Sequence, residues 1–370
     1  MLDFYDNNQS TKSHLPLISK DELSDQEVLH ELDRIKLELK DEVVVLGHHY
    51  QQDDIIKYAD HIGDSLALAK KGITLNKPYI IFCGVHFMAE TADILSQSNQ
   101  SIILPDPNAG CSMADMAELK DIEQAWDYLT AISNEKIIPV TYINCSAELK
   151  SFVGKHGGSI CTSSNAEQVI QWAQEQGGKL LFFPDQHLGR NTCFKMGVPL
   201  EKMNIYNPTK RNGGISPQEV INSKVILWHG YCSVHQGLTP TQVKNIKSDS
   251  PETTVIVHPE CSFEVVQAAD LSGSTSYILD TIEKAPSGSK FAVGTEINLV
   301  NRLNNQFPDK EIYSLSPYQC LCTTMYRVRP RWLLSAYQAI KNKRPINIIT
   351  VSEEVKKNSL KALQTMLEIS

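Results

Sequence analysis

A chain of 370 residues is longer than one hydrophobic core usually serves, and its 41% hydrophobic and 21% charged residues fit a globular protein of several units rather than a disordered or fibrous one. The net charge of -8, with no run of five like charges, lacks the electrostatic footprint of a nucleic-acid or anionic-membrane binder. Nine cysteines, an odd number without dense pairing, argue against a disulfide framework and for a reducing compartment.

The opening MLDFYDNNQSTKSHLPL has neither a basic n-region nor an apolar h-region. The apolar runs are strand-sized, so neither secretion nor a membrane span is expected and a cytoplasmic location is. Residues 1–20 read as an irregular tail, and 24–40 as a helix with Ser24 as its N-cap. Short β-branched runs then follow at 43–46, 79–82, 102–104, 137–140, 180–183, 225–228, 254–257, 291–293 and 312–315. They alternate with amphipathic stretches, which is the signature of parallel α/β layers. Linkers are expected near 118–135 and 236–252, and RWLLSAYQAIKN and KALQTMLEI read as closing helices.

Laid under one another, these runs expose a threefold repeat. Each copy opens with a strand running into a polar trio: His48-His49-Tyr50, Tyr142-Ile143-Asn144 and His258-Pro259-Glu260. A hydroxyl cluster opening a helix follows, in GDSLALA, CTSSNAEQV and GSTSYILDT. Each copy ends in a loop with a cysteine, NAGCSM, HGYCSVH or YQCLCTTM. His48 to Cys111 is 63 residues and His258 to Cys322 is 64, whereas Tyr142 to Cys232 is 90, so the middle copy carries insertions. The expected fold is therefore α/β, with three repeated units around a central active site. Their bounds are 41–134, 135–250 and 251–330, with a tail and helix over 1–40 and closing helices over 331–370.

In such layers ligands bind beyond the carboxyl ends of the strands, where the trios sit. Three copies around an axis would pool His48, Tyr50, Tyr142, Asn144, His258 and Glu260, an inventory rich in acid/base groups. Ser65, Ser163, Ser274 and Thr275 fall at helix N-termini, whose unpaired N–H groups attract anions, although a serine there is more often a plain cap. Three cysteines converging on one site admit zinc with an open position. The short CxxC spacing of structural zinc sites is missing, and a cubane cluster with one iron left unligated suits scattered cysteines better. Spacing alone leaves Cys320 and Cys322 as rivals for the third ligand. A metallohydrolase using His48, His49, His235 and His258, and a non-catalytic module that binds anionic metabolites, are the competing readings.

Over 43–366 the chain resembles the quinolinate synthase family, in GHHYQ, GDSLALA, GVHFMAET, PDPNAGCSMADM, TYINCSAE, CTSSNA, FPDQHLGRN, WHGYCSVH, HPEC, GSTS, GTEIN and CTTM. The resemblance implies a [4Fe-4S] enzyme of three pseudo-symmetric three-layer αβα units that condenses iminoaspartate with dihydroxyacetone phosphate to quinolinate, with loss of phosphate and two waters. It implies Cys111, Cys232 and Cys322 as cluster ligands, Cys322 because it begins the CTTM pattern. It also implies a pocket lined by His48, Tyr50, Ser65, Tyr142, Asn144, Ser163, His235, His258, Glu260, Ser274 and Thr275. Glu260 is the expected base and Tyr50 and Tyr142 the expected proton donors, with His258 beside them. The unstable imine implies transient contact with an aspartate-oxidising enzyme. His49 departs from the family, which often has asparagine there.

Overall fold

A computed structural model describes residues 23–318 and 320–369. The predicted tail over 1–20 lies outside the described residues. The helix Asp25–Glu38 is held at its start by a capping box: the Ser24 side chain accepts from Glu27 N while the Glu27 carboxylate accepts from the Ser24 backbone.

The strands in chain order are β1 Val43–His48, β2 His61–Gly63, β3 Tyr79–Cys83, β4 Ser101–Ile103, β5 Ile137–Tyr142, β6 Ser159–Cys161 and β7 Lys179–Phe183. They continue with β8 Met203–Tyr206, β9 Val225–Trp228, β10 Thr254–Val257, β11 Leu271–Ser272, β12 Lys290–Gly294, β13 Glu311–Ser314 and β14 Ile348–Ile349. They form three sheets, ordered β14-β4-β3-β1-β2, β6-β5-β7-β9-β8 and β11-β10-β12-β13. Within each, the first strand lies between the second and third, with the same succession beyond. All pairings are parallel except β14 with β4.

Strands buried on both faces read as continuous apolar runs, which is why β1, β5 and β7 are fully buried. In the third sheet the two faces feed separate cores: Val255, Val257 and Ala292 pack on one side, and Ile256, Phe291 and Val293 on the other. The insertion in the middle set lies mainly between β7 and β9. From Phe183 to Val225 is 42 residues, against 18 from Cys83 to Ser101 and 17 from Gly294 to Glu311, and the extra length builds β8.

The stretches expected as linkers are largely helical, at Leu119–Ile132 and Pro240–Asp249. Each buries an apolar stripe on a sheet, Ile122, Ala125 and Leu129 in the first case and Val243 in the second. The C-terminal part does more than supply helices. β14 extends the first sheet, and the helix Glu353–Ile369 then lies on the helix Ala147–Lys155 of the middle set. Gly154 permits that approach, since a Cβ there would sit 1.9 Å from Asn358 O.

Candidate active site where the three sheets meet

β1, β5 and β10 end at the three polar trios, and all three trios open on one cavity of about 80 Å³. That is well above the roughly 10–15 Å³ needed to hold one water. His48, Tyr50, Ser65, Tyr142, Asn144, Ser163, His235, His258, Glu260 and Thr275 line it, together with Cys111, Cys232 and Cys322. His49 and Ser274 do not. The Ser274 hydroxyl accepts from Tyr277 N as the cap of the helix Thr275–Lys284 and faces an adjoining groove. Ser163 lines both the cavity and that groove, whereas Ser164 lines the groove and not the cavity.

The three cysteines share one local geometry. Two residues before each, a carbonyl accepts from the first residue of the helix that follows the sheet's third strand: His86 N to Ala109 O, Gln186 N to Gly230 O, and Ile297 N to Cys320 O. After each, the cysteine carbonyl accepts from the fourth residue on, Asp115 N, Gln236 N and Tyr326 N. Peptide N–H groups lie near the sulfurs and favour their charged forms: those of Ala114 and Met113 at Cys111, of His235 at Cys232, and of Met325 and Thr324 at Cys322. Each cysteine thus stands at the start of a single helical turn, with no side-chain cap bond at Cys232. In this register Cys320 is the counterpart of Ala109 and Gly230, and its Sγ turns toward Tyr318 O, 3.9 Å away, outside the cavity.

Burial pushes the Cys111 thiol up to about 12, and raises Cys232 and Cys322 as well; the proximity of the other thiols adds to the rise at Cys111 and Cys232. Cys322 rises by burial, against the N–H groups near its sulfur. Three mutually repelling soft donors with nearby N–H groups suit a cationic iron-sulfur centre, which would favour the thiolates. Cys232, His235 and Glu260 form a rival group, with ligand atoms within 4.8 Å of one another.

Around Glu260 the polar groups are connected. Its Oε2 is 3.0 Å from His235 Nδ1, at an angle poor for a hydrogen bond, and the Tyr142 hydroxyl donates to its carboxylate. Burial favours the neutral acid, but the charges of His258 and His235 when protonated, with these contacts, outweigh it and hold Glu260 below the usual carboxylate range. Burial holds His258 at about 3, so near neutral pH that ring is uncharged and the Glu260 anion leans on His235 and Tyr142. His48 is likewise held at about 3 by burial. His48 Nδ1 accepts from Tyr50 N (3.1 Å) and His258 Nδ1 from Glu260 N (3.3 Å). Both neutral rings thus carry their proton on Nε2. Burial and the Glu260 charge raise both Tyr50 and Tyr142, so each phenol stays protonated.

Thr295, which the sequence reading missed as a site residue, completes a relay: its Oγ1 lies 2.9 Å from the Tyr50 hydroxyl and 3.3 Å from His235 Nε2. Asp64 was missed too. It caps the helix Ser65–Thr74 through Ala67 N, so Ser65 is the first helical residue and not the cap. Both sit inside quoted stretches, GTEIN and GDSLALA, which were the available signal.

The fold and cavity define an α/β enzyme with a buried, thiol-lined acid/base site. A family model described as quinolinate synthetase A protein matches residues 31–368. The chain is 49% identical over 352 residues to a quinolinate synthase of Herpetosiphon aurantiacus, covering 94% of each chain. It is 51% identical over 348 residues to that of Corynebacterium glutamicum, covering 94% of this chain and 88% of the relative. To that of Anoxybacillus flavithermus it is 49% identical over 346 residues, covering 93% and 94%. The chain belongs to the quinolinate synthetase A family. Among the described residues no helix is long and apolar enough to cross a membrane.

Proposed function

We propose that the protein condenses iminoaspartate with dihydroxyacetone phosphate to form quinolinate, releasing phosphate and two waters, with a [4Fe-4S] cluster held by Cys111, Cys232 and Cys322. The observation that carries this reading is the convergence of Cys111, Cys232 and Cys322 on one cavity with the Tyr50–Thr295–His235 hydrogen bonds, which end beside Glu260 and Tyr142. When bound, the cluster supplies an iron without a protein ligand, a Lewis acid toward a substrate oxygen. The same reading treats 41–134, 135–250 and 251–330 as three related αβα units, with 1–40 and 331–370 packed on them.

Glu260 is the base that moves protons during tautomerisation and loss of water. A carboxylate held below the usual range is a weak base alone, but substrate carboxylates arriving beside it raise its proton affinity by like charge. Tyr50 and Tyr142, protonated by burial, donate to leaving oxygens. His48 and His258 offer Nε2–H groups to substrate carboxylates. Ser65, Ser163 and Thr275 anchor carboxylate or phosphate oxygens beside helix starts, Thr275 being presented by the Ser274 cap. Asn144 Oδ1, buried without a partner, is available to a substrate N–H or O–H. Because imines hydrolyse, the substrate comes from an aspartate-oxidising enzyme in passing contact. The setting is the cytoplasm, where the cysteines stay reduced.

The test is anaerobic purification with iron, sulfide and zinc analysis, followed by assay with both substrates. About four irons per chain, a broad absorption near 400 nm and quinolinate formation are expected. Glu260→Gln should keep its iron while kcat falls about 100-fold or more. Colourless protein with one zinc, held by Cys232, His235 and Glu260, would replace this reading with a mononuclear metalloenzyme.

A further inference from the structure

The loops that present Tyr50 and Glu260 are each gripped from a different sheet. The helix Ile297–Gln306, beside the third sheet, reaches the loop after β1. There the Arg302 guanidinium donates to His49 O (2.7 Å), Gln51 O (2.6 Å) and Asp53 Oδ1 (2.9 Å), and Asn298 Nδ2 donates to Tyr50 O (3.2 Å). The helix Gln186–Lys195, beside the middle sheet, reaches the loop after β10. There Asn191 Nδ2 donates to Pro259 O and Cys261 O, both at 2.9 Å. In both cases the peptide carbonyls on either side of the reacting residue are taken. The corresponding helix of the first set, His86–Leu95, makes a weaker contact of the kind: Glu90 Oε2 accepts from Ala147 N (3.0 Å), just past the middle trio. The grips run in a ring, first set to second, second to third, third to first.

None of Asn191, Asn298 and Arg302 lines the cavity, so none is placed to touch substrate. Resting on the functional reading above, we infer that Asn191 and Arg302 are positioning residues, Asn191 fixing the aim of Glu260 and Arg302 that of Tyr50. A loop peptide anchored on both flanks cannot rotate, and the side chain between the anchors keeps one direction. The anchors come from the side that must be matched. Glu260 meets Tyr142 of the middle set, to which Asn191 belongs; Tyr50 meets Thr275 (3.1 Å) and Thr295 (2.9 Å) of the third, to which Arg302 belongs. Each grip therefore sets a distance between sheets directly, where a misplacement of about 1 Å costs about 100-fold in rate.

A double-mutant cycle on the holoenzyme separates this from a role confined to holding the sheets together. Asn191→Leu and Arg302→Met keep bulk and remove the donors. Iron and sulfide content should match wild type, kcat should fall about 10- to 100-fold and KM should stay within about threefold. Added to Glu260→Gln, Asn191→Leu should cost less than about threefold more, and Arg302→Met likewise on Tyr50→Phe, because each acts through its partner. Losses in the crossed pair, Asn191→Leu with Tyr50→Phe, should multiply. Asn191→Ser, which keeps one donor, runs the same cycle if the leucine variant does not fold. Unchanged kcat in the single variants, or losses that multiply within the matched pairs, would overturn the inference. Wild-type turnover in Glu260→Gln would instead remove the functional reading, and the inference with it.

Discussion

Replacing Thr295 with valine probes the relay with the least disturbance of shape. Valine fills nearly the same volume but removes the hydroxyl between Tyr50 (2.9 Å) and His235 Nε2 (3.3 Å), in a residue with no exposed surface. Tyr50 keeps Thr275 at 3.1 Å, while the buried His235 Nε2 loses the partner it has here. Leaving one buried polar group unsatisfied costs about 1–3 kcal/mol, so about 2 kcal/mol of stability should go. That corresponds to a melting temperature about 3–5 °C lower, at the small end because the chain is longer than the domains the scaling describes. With His235 loosened beside Glu260, kcat should fall about 10- to 100-fold, equivalent to about 1.4–2.7 kcal/mol. Thr295→Ser restores the hydroxyl and should recover most of both. The assay pairs thermal unfolding of anaerobic holoenzyme with quinolinate production, with iron content as control. A valine variant equal to wild type in both would mean that no relay passes through Thr295.

Iron analysis of single alanine variants should show the cluster lost from Cys111→Ala, Cys232→Ala and Cys322→Ala and retained in Cys320→Ala; the reverse at 320 and 322 would overturn the ligand choice. Gly154→Ala would push a methyl group to 1.9 Å from Asn358 O, so the C-terminal helix must shift, with about 1–3 kcal/mol lost in chemical denaturation and active-site residues untouched. Burial holds His49 down at about 4, below its unfolded value near 6.5. The folded state then binds fewer protons, so stability is full above about pH 6.5 and is lost as pH falls toward 4. His49→Asn should remove at most about 3 kcal/mol of that acid sensitivity, seen as a flatter melting temperature between pH 4 and 7.

The nine runs read as strands in the sequence are all strands, because β-branched stretches buried on both faces leave a continuous apolar trace. The five that escaped, β2, β6, β8, β11 and β14, are sheet edges of two to four residues. One paired side and partial exposure let HIG or LS read as loop. The trios and cysteines were legible through repetition, since strand, trio and cysteine follow in the same order three times along the chain. Thr295, Asp64, Asn191 and Arg302 were not, because each is a single polar residue whose meaning comes from a partner on another sheet, 212 to 253 positions away for Asp64, Thr295 and Arg302. The choice of Cys322 over Cys320 rested on motif likeness in the sequence. In the structure the hydrogen bond from Ile297 N to Cys320 O supplies a physical register for it.

The C-terminal segment that crosses from the first sheet to the middle set has a consequence for biogenesis. Cys111 and Cys232 are made early, yet the sets that carry them share a buttress, β14 with the helix Glu353–Ile369, that is made after both. Domains fold as they emerge, so the sheets can form in sequence while their mutual docking waits for this segment. If the proposed cluster needs the docked sets, ribosome-stalled chains ending before Ile348 should take up no iron.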